Sequence, residues 1–338
     1  MKQKLEIILA VSLDVEEEGL FGGQYARFSP QVTNTANLLR LRPLMSMPIR
    51  PTLLCAHSVL DNPGARADIA AFCAEFPGRV EIGTHLHHWN TPPLSETKNG
   101  SACSVCSADV PPDIMGEKLN HLLELAEDFC GERPTSFRMG RWDIRAEHWP
   151  LLALAGITCD ASVRPLHSPL KGPNHFAAPA NPYRIRAADK TIVEIPLTVT
   201  PLFPSLPRLL ERLPDVCDLS RRTRAGLKNW GALALLPVHH PLWLMRLTTR
   251  LFVERGGTVL SLTWHSSEMM PGGAPHIPDA ASVDALLDKI YRYTQWLYDN
   301  FSVCSLTMRE LGQDAACENE ASLREDNKCD WCCAENGP

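Results

Sequence analysis

The chain of 338 residues is narrowed first by what it lacks. It has no excess of positive charge: 33 lysines and arginines against 39 aspartates and glutamates leave a formal net charge of −6. That balance does not suit a phosphate backbone, so nucleic acid is not the expected partner. No apolar run approaches the roughly 18 residues that a membrane helix needs, so no transmembrane segment is expected. Two lysines precede a short apolar run at the N-terminus, in the manner of a signal peptide. That run passes straight into Asp14, Glu16, Glu17 and Glu18 without a small-residue cleavage site. It reads as a first buried strand, and the expected location is the cytoplasm. No GxGxxG, Walker-type loop, GxSxG elbow or HExxH occurs, and Gly22-Gly23 lacks the spacing of a phosphate cradle.

What is present describes a folded α/β protein. Apolar residues make up 44% and charged residues 21%, which excludes global disorder. The length suits one large α/β domain or two smaller ones. Proline is abundant at 28, and much of it falls between periodic segments, as expected of rigid loops. Strands are expected at 5–13, 52–56, 79–85, 135–138, 157–162, 258–264 and 301–306, with two more around an Ala-Ala-Asp-Lys turn within 183–199. Helices are expected at 31–42, 65–76, from Asp113 to about 130, at 143–155, 241–255 and 282–298, with short ones in 205–235. Asp113 and Asp143 are candidate N-caps. Buried strands alternating with amphipathic helices imply a mostly parallel sheet covered by helices, either closed as a barrel or open. Residues 1–311 form the expected domain. Residues 312–338, with seven acids and two bases, form an acidic, cysteine-containing tail.

Twelve cysteines without an export signal argue against a disulfide framework. Cys55, Cys73, Cys130, Cys159 and Cys304 lie in apolar patterns and read as small hydrophobes. Cys103-x-x-Cys106 and Cys329-x-x-Cys332-Cys333 could supply four thiolates to a structural zinc, or remain free thiols or disulfides.

Parallel α/β proteins build sites at the C-terminal ends of their strands. Here the first strand ends in Asp14-Val15-Glu16, the third in His85-Leu86-His87-His88-Trp89, the fourth in Arg138-Met139-Gly140-Arg141-Trp142. A late strand ends in Trp264-His265. In a strand, residues i and i+2 share a face, so Asp14 pairs with Glu16 and His85 with His87. Two imidazoles and one carboxylate make a ligand set for a catalytic divalent ion, leaving the second carboxylate to act as a base. His265 has the reference pKa of a general acid, although no acid at a recognisable position orients it. His239-His240-Pro241 reads as a polar turn. The run Arg221, Arg222, Arg224 reads as a solvated face.

These residues resemble the polysaccharide deacetylases of the NodB-homology type, carbohydrate esterase family 4, in a divergent branch associated with glycan biosynthesis. The likeness runs from about residue 7 to about 310 and rests on VSLDVEEEGLFGGQY, VEIGTHLHHWNTPP, SFRMGRWDI with DASVRP, and LTWHSSEMMPGG. It implies a distorted (β/α)7-type barrel and hydrolytic removal of acetyl groups, usually from amino sugars. By the resemblance Asp14 is the general base and His265 the general acid. Arg138 and Gly140 belong to the motif lining the groove, and Arg138 or Arg141 steadies Asp14 or the sugar. His85 is the first metal-binding histidine. The family's second aspartate would stand at position 15, which is valine, so Glu16 is the substitute. Its second histidine would stand at Trp89, so His87 replaces it, with His88 as runner-up.

The expected metal is zinc by default, with nickel, cobalt or manganese as alternatives. The expected partner is a carbohydrate, contacted by Tyr25, Trp89, Trp142 and Trp264. Two rival readings stand beside this one: a glycan-binding pseudoenzyme, and an interaction protein organised by a cysteine-bound zinc.

Overall fold

The computed structural model describes residues 4–94, 105–212 and 218–318. Its strands are β1 (Glu6–Val15), β2 (Pro51–Ala56), β3 (Glu81–Leu86), β4 (Ser136–Met139), β5 (Cys159–Asp160), β6 (Tyr183–Ala187), β7 (Lys190–Glu194), β8 (Val199–Pro201), β9 (Ala232–Ala234), β10 (Val259–His265) and β11 (Ser302–Ser305). The main sheet runs β10-β1-β2-β3-β4-β5-β7-β6, with β11 beside the first half of β1. All its pairings are parallel except β6 with β7. A separate antiparallel pair joins β8 and β9.

The parallel path from β10 to β7 curls into a distorted (β/α) barrel. Its seam lies between β7 and β10, where segment 195–201 is laid. Ile195 and Leu197 donate backbone N–H groups to Asp160 and Val163 on one side. On the other, the Ser261 N–H reaches the Thr198 hydroxyl at 2.7 Å.

Strand parity decides what faces inward. Residues directly opposite each other share a face. The register aligns Asp14 with Leu54, Leu54 with Gly83, His85 with Arg138, and Asp14 with His265. The lower barrel is apolar, filled by Ala10, Leu54, Cys159, Ala161, Val193, Ile195 and Val259. The helix Met308–Glu318 closes the floor with Met308 and Leu311, and the Arg309 N–H caps Glu81, which also accepts from Thr52 and Ser136. The larger core lies on the outer face, between the sheet and its helices, and includes Leu13, Leu53, Phe72, Phe137 and Trp149.

The helices follow their apolar stripes. Pro63–Glu75 is capped by Asn62 and Ala280–Asn300 by Asp279. Pro112–Cys130 buries Met115, Leu119, Leu122, Leu123 and Ala126 as its period requires. Asp113 is not its cap: the helix starts on Pro111, and Asp113 lies in the first turn. Asp143 does not cap a helix either. The next helix begins at His148, and the Asp143 carboxylate holds the loop by accepting the Ser107 N–H at 2.7 Å. Residues 34–41 wind as a 3-10 helix, and the expected strand at 157–162 shortens to two residues. The helix from Met308 crosses the expected boundary at 311/312. Cys55 and Cys159 are buried, whereas Cys304 is exposed. No helix among the described residues is long and apolar enough to cross a membrane.

Candidate metal centre and active site

Four strand ends meet at the mouth of the barrel. β1 delivers Asp14 and, just past its end, Glu16 and Glu17. β3 delivers His85 and, one residue past its end, His87, while β4 delivers Arg138 and β10 delivers His265. His265 is half-buried, and the others are buried.

Glu16, His85 and His87 form a cluster whose ligand atoms all lie within 4.8 Å of one another. His85 Nε2 stands 3.6 Å and His87 Nε2 3.5 Å from the same oxygen, Glu16 Oε2. These separations are too long for hydrogen bonds. They match the roughly 3.4 Å between neighbouring donors around a tetrahedral ion. Each imidazole is turned for the task from behind. His85 Nδ1 lies 3.1 Å from the Arg138 carbonyl, and His87 Nδ1 lies 2.9 Å from Glu17 Oε1. An N–H at each Nδ1 leaves both Nε2 lone pairs aimed at the cluster, as is usual for metal-binding histidines. Glu16 Oε1 is buried without a hydrogen-bond partner. The donor set and this orphaned oxygen fit a divalent ion.

Glu17 is held in turn by Ser58 and Asn90, each at 2.7 Å. Burial pushes its carboxyl upward, but His87 and the Ser58 hydrogen bond outweigh it and bring it down to about 2. Burial disfavours a charged His87, yet Glu17 and Glu16 raise it to about 9 in the ion-free chain, so an ion binding at Nε2 would displace that proton. Gly140 lets this ring come close: a Cβ there would stand 2.6 Å from His87 Cδ2 and 2.9 Å from the Leu86 carbonyl. Arg141 and Trp142 follow it with positive φ values of 61° and 58°, in the left-handed region that favours glycine.

Asp14 is the second focus. Arg138, only 1% exposed, donates from Nη1 to Asp14 Oδ1 at 2.5 Å and to Thr263 at 2.9 Å. It also donates to Ser12 and the Ala161 carbonyl, both at 2.8 Å. The other oxygen, Asp14 Oδ2, faces His265 Nε2 at 3.7 Å. Burial would raise Asp14, but Arg138, His85 and His265 hold it below the usual carboxylate range. Glu16 is treated alike, burial being outweighed by His265 and by the neighbouring His85 and His87, and it too lies below the usual range.

Glu268 orients His265, a role that the search for a triad in the sequence misses. Its Oε2 accepts the His265 backbone N–H at 2.9 Å and lies 3.1 Å from Nδ1. The signal is local: an acid three residues into a turn closes a capping box on its first residue. Burial works against charge on His265, but Glu16, Glu268 and Asp14 push it up to about 10. Glu268 falls to about 2, burial being outweighed by His265.

The remaining sequence candidates divide. Tyr25 lies at the mouth, edge-on to Trp89 at 5.3 Å, with its hydroxyl hydrogen-bonded to Arg141. Arg141 is exposed and makes no contact with Asp14, whose partner is Arg138. Trp89 is buried and stacks on His87 at 4.3 Å, so it walls the cluster rather than a groove. Trp142 is half-buried beneath the Arg138 guanidinium, 4.9 Å from ring to charge. Trp264 is corrected outright: its parity is opposite to His265, and it is 1% exposed in the outer core. His88 is buried edge-on to Trp89 and stands outside the three-residue cluster. Of the cysteines, Cys106 takes a hydrogen bond from Arg145 at 3.3 Å. Cys103, Cys329 and Cys332 lie outside the described residues, and so does the zinc site they would form.

The chain has the fold of the polysaccharide deacetylases. A candidate polysaccharide deacetylase from Mycobacterium smegmatis aligns with a TM-score of 0.54 over 94% of this chain and 92% of that one, at 16% identity. A 4-alpha-glucanotransferase from Thermococcus litoralis aligns with a TM-score of 0.51 and 13% identity, over 90% of this chain but 40% of its own length. At such identities the likeness is one of fold. No family model and no curated protein sequence matches the chain.

Proposed function

We propose that the chain is a metal-dependent hydrolase that removes an acyl group, N-acetyl first, from a sugar or polysaccharide precursor. One observation carries this reading. The two Nε2 atoms converge on one Glu16 oxygen, and beside them Asp14 stands between an arginine that fixes one oxygen and a histidine that faces the other.

Glu16, His85 and His87 would hold the ion, with zinc the default and nickel, cobalt or manganese the alternatives. A bound divalent ion polarises an amide carbonyl and acidifies a water. Asp14 would take a proton from the attacking water at Oδ2, since Oδ1 is engaged by Arg138. His265 gives a proton from Nε2 to the departing nitrogen as the C–N bond breaks. Glu268 holds Nδ1 of His265, which turns Nε2 toward Asp14, and it stabilises positive charge on the ring. Water is consumed, and acetate and an amine leave.

The test combines anomalous scattering across metal edges with acetate release from a panel of acetylated sugars. One ion per chain is expected, lost in His85→Gln and His87→Gln. Asp14→Asn and His265→Gln should keep the ion and lose about 10³-fold or more in kcat. Full turnover in either variant overturns the role assigned to that residue. A chain that keeps its ion after loss of both histidines overturns the metal site.

A further inference from the structure

A second group of cations stands at the same mouth and takes no part in this chemistry. Arg164 lies in the loop after β5, half-buried. That loop is tied down through Val163, whose N–H donates to Glu194 and whose carbonyl accepts from Leu197. His239 and His240 lie in the loop after β9, which is tied to the same seam where the Leu235 N–H meets the Thr198 carbonyl. Both loops therefore rise from the seam on the side where β5 and β7 end.

Among the described residues, the Arg164 guanidinium makes no ion pair and no side-chain hydrogen bond. Its surroundings are largely cationic, with Glu268 acting in the opposite sense on His239 and Lys289. Burial lowers His167 to about 3, helped by Arg164 and Lys228. His239 and His240 are lowered by burial and by the same arginine, and Lys289 adds its charge at His240. His167 Nδ1 is buried without a partner. An arginine half withdrawn from water without a carboxylate partner, beside imidazoles held neutral, gains most from an anion that completes it.

The group joins the reaction centre by contact. The His239 and His276 rings are 5.3 Å apart. His276 Nε2 lies 3.6 Å from Glu268 Oε1, and the other oxygen of Glu268 holds His265.

Building on the deacetylase reading, we propose that Arg164, His167, His239 and His240, with Lys228 and Lys289 at the rim, form a subsite for an anionic group carried by the substrate. The group is a phosphate or a carboxylate, and the substrate class is an acylated sugar bearing one. The arginine supplies the fork for two oxygens, and neutral imidazoles supply further donors.

The test titrates the chelator-treated chain calorimetrically at low salt, with inorganic phosphate and with glucuronate as separate probes. Saturable binding of at least one probe is expected, weakened about 10-fold or more in Arg164→Gln. His240→Asn, on the other loop, should weaken it in the same direction. Lys190→Gln, an exposed lysine at the β6–β7 turn, should not. Absence of binding, or equal loss in Lys190→Gln, overturns the subsite.

A second arm compares acetate release from N-acetylglucosamine 1-phosphate, N-acetylglucosamine and an acetylated uronic acid, with a preference for a charged substrate that Arg164→Gln removes. If no sugar releases acetate while the probe still binds through Arg164, the hydrolase reading fails and the anion site stands. If acetate is released from charged and neutral sugars alike and Arg164→Gln changes nothing, the anion site fails and the hydrolase stands.

Discussion

The two sides of the barrel mouth are built on opposite electrostatic plans. On the side of β1, β3, β4 and β10, ionisable groups meet opposite charges: Asp14 meets Arg138, Glu17 meets His87, and Glu268 meets His265. On the side of the seam, Arg164 meets no carboxylate among the described residues. A network closed on itself holds its atoms in place before any ligand arrives, which is what proton transfer and metal ligation require. A cation left open is where a ligand makes the largest difference, because the partner it lacks must come from outside.

Substitutions that treat the two sides alike test the contrast. The largest effect on stability is expected for Arg138→Gln, which leaves Asp14 buried and uncompensated. A loss of about 3–5 kcal/mol is expected in denaturant unfolding. A loss below about 1 kcal/mol would mean that Asp14 does not need its arginine.

Glu17→Gln comes next. It removes the carboxylate behind His87, so metal affinity should fall by about 10–100-fold in a competition titration with the fold intact. Unchanged affinity would dismiss Glu17 as an orienting group.

Glu268→Gln should lower kcat by part of the roughly 10²–10⁴ that proton transfer contributes. It also has a pH signature. His265 rises from 6.5 to about 10 in the fold, so its contribution to stability is full below pH 6.5 and is lost as pH rises through 10. Glu268 falls from 4.5 to about 2, so its contribution is present above 4.5 and is lost as pH falls through 2. The gap in Tm between the native chain and Glu268→Gln should therefore be widest between pH 4.5 and 6.5 and close toward pH 10. The alkaline limb of kcat/KM should move to lower pH in the variant. A limb that stays in place would remove Glu268 from the acid's support.

The smallest effect is expected where the contrast is sharpest. Arg164→Gln breaks no ion pair among the described residues, so unfolding free energy should stay within about 0.5 kcal/mol of the native chain, or rise. A loss comparable to that of Arg138→Gln would show that the seam side is paired after all.

Much of this is legible in the sequence, for a physical reason. Doubly buried parallel strands are continuous apolar runs, and the polar residues that end them stand out, as at Asp14, His85 and His265. The period of two puts Asp14 with Glu16 and His85 with His87, and the cluster uses that pairing. The same period sets Trp264 opposite His265, yet its aromatic ring suggests a sugar face, which its burial contradicts. Trp89 misleads likewise: it lies past the strand end, where alternation no longer speaks. Glu17 is hidden in a run of acids for the same reason. Arg164 and His239 are 75 positions apart in the chain (239 − 164). The bases of both loops are anchored at the seam around Thr198, a segment with no periodicity.

The floor under Asp14 has a consequence for traffic. Met308 and Leu311 pack under the barrel with Ala10, Leu54 and Val259, so among the described residues its lower end is filled by side chains. In the proposed reaction the small acid produced meets that filled end below. It departs through the opening occupied by the sugar, which makes the order of release a property of the architecture and acetate a natural inhibitor of the next cycle.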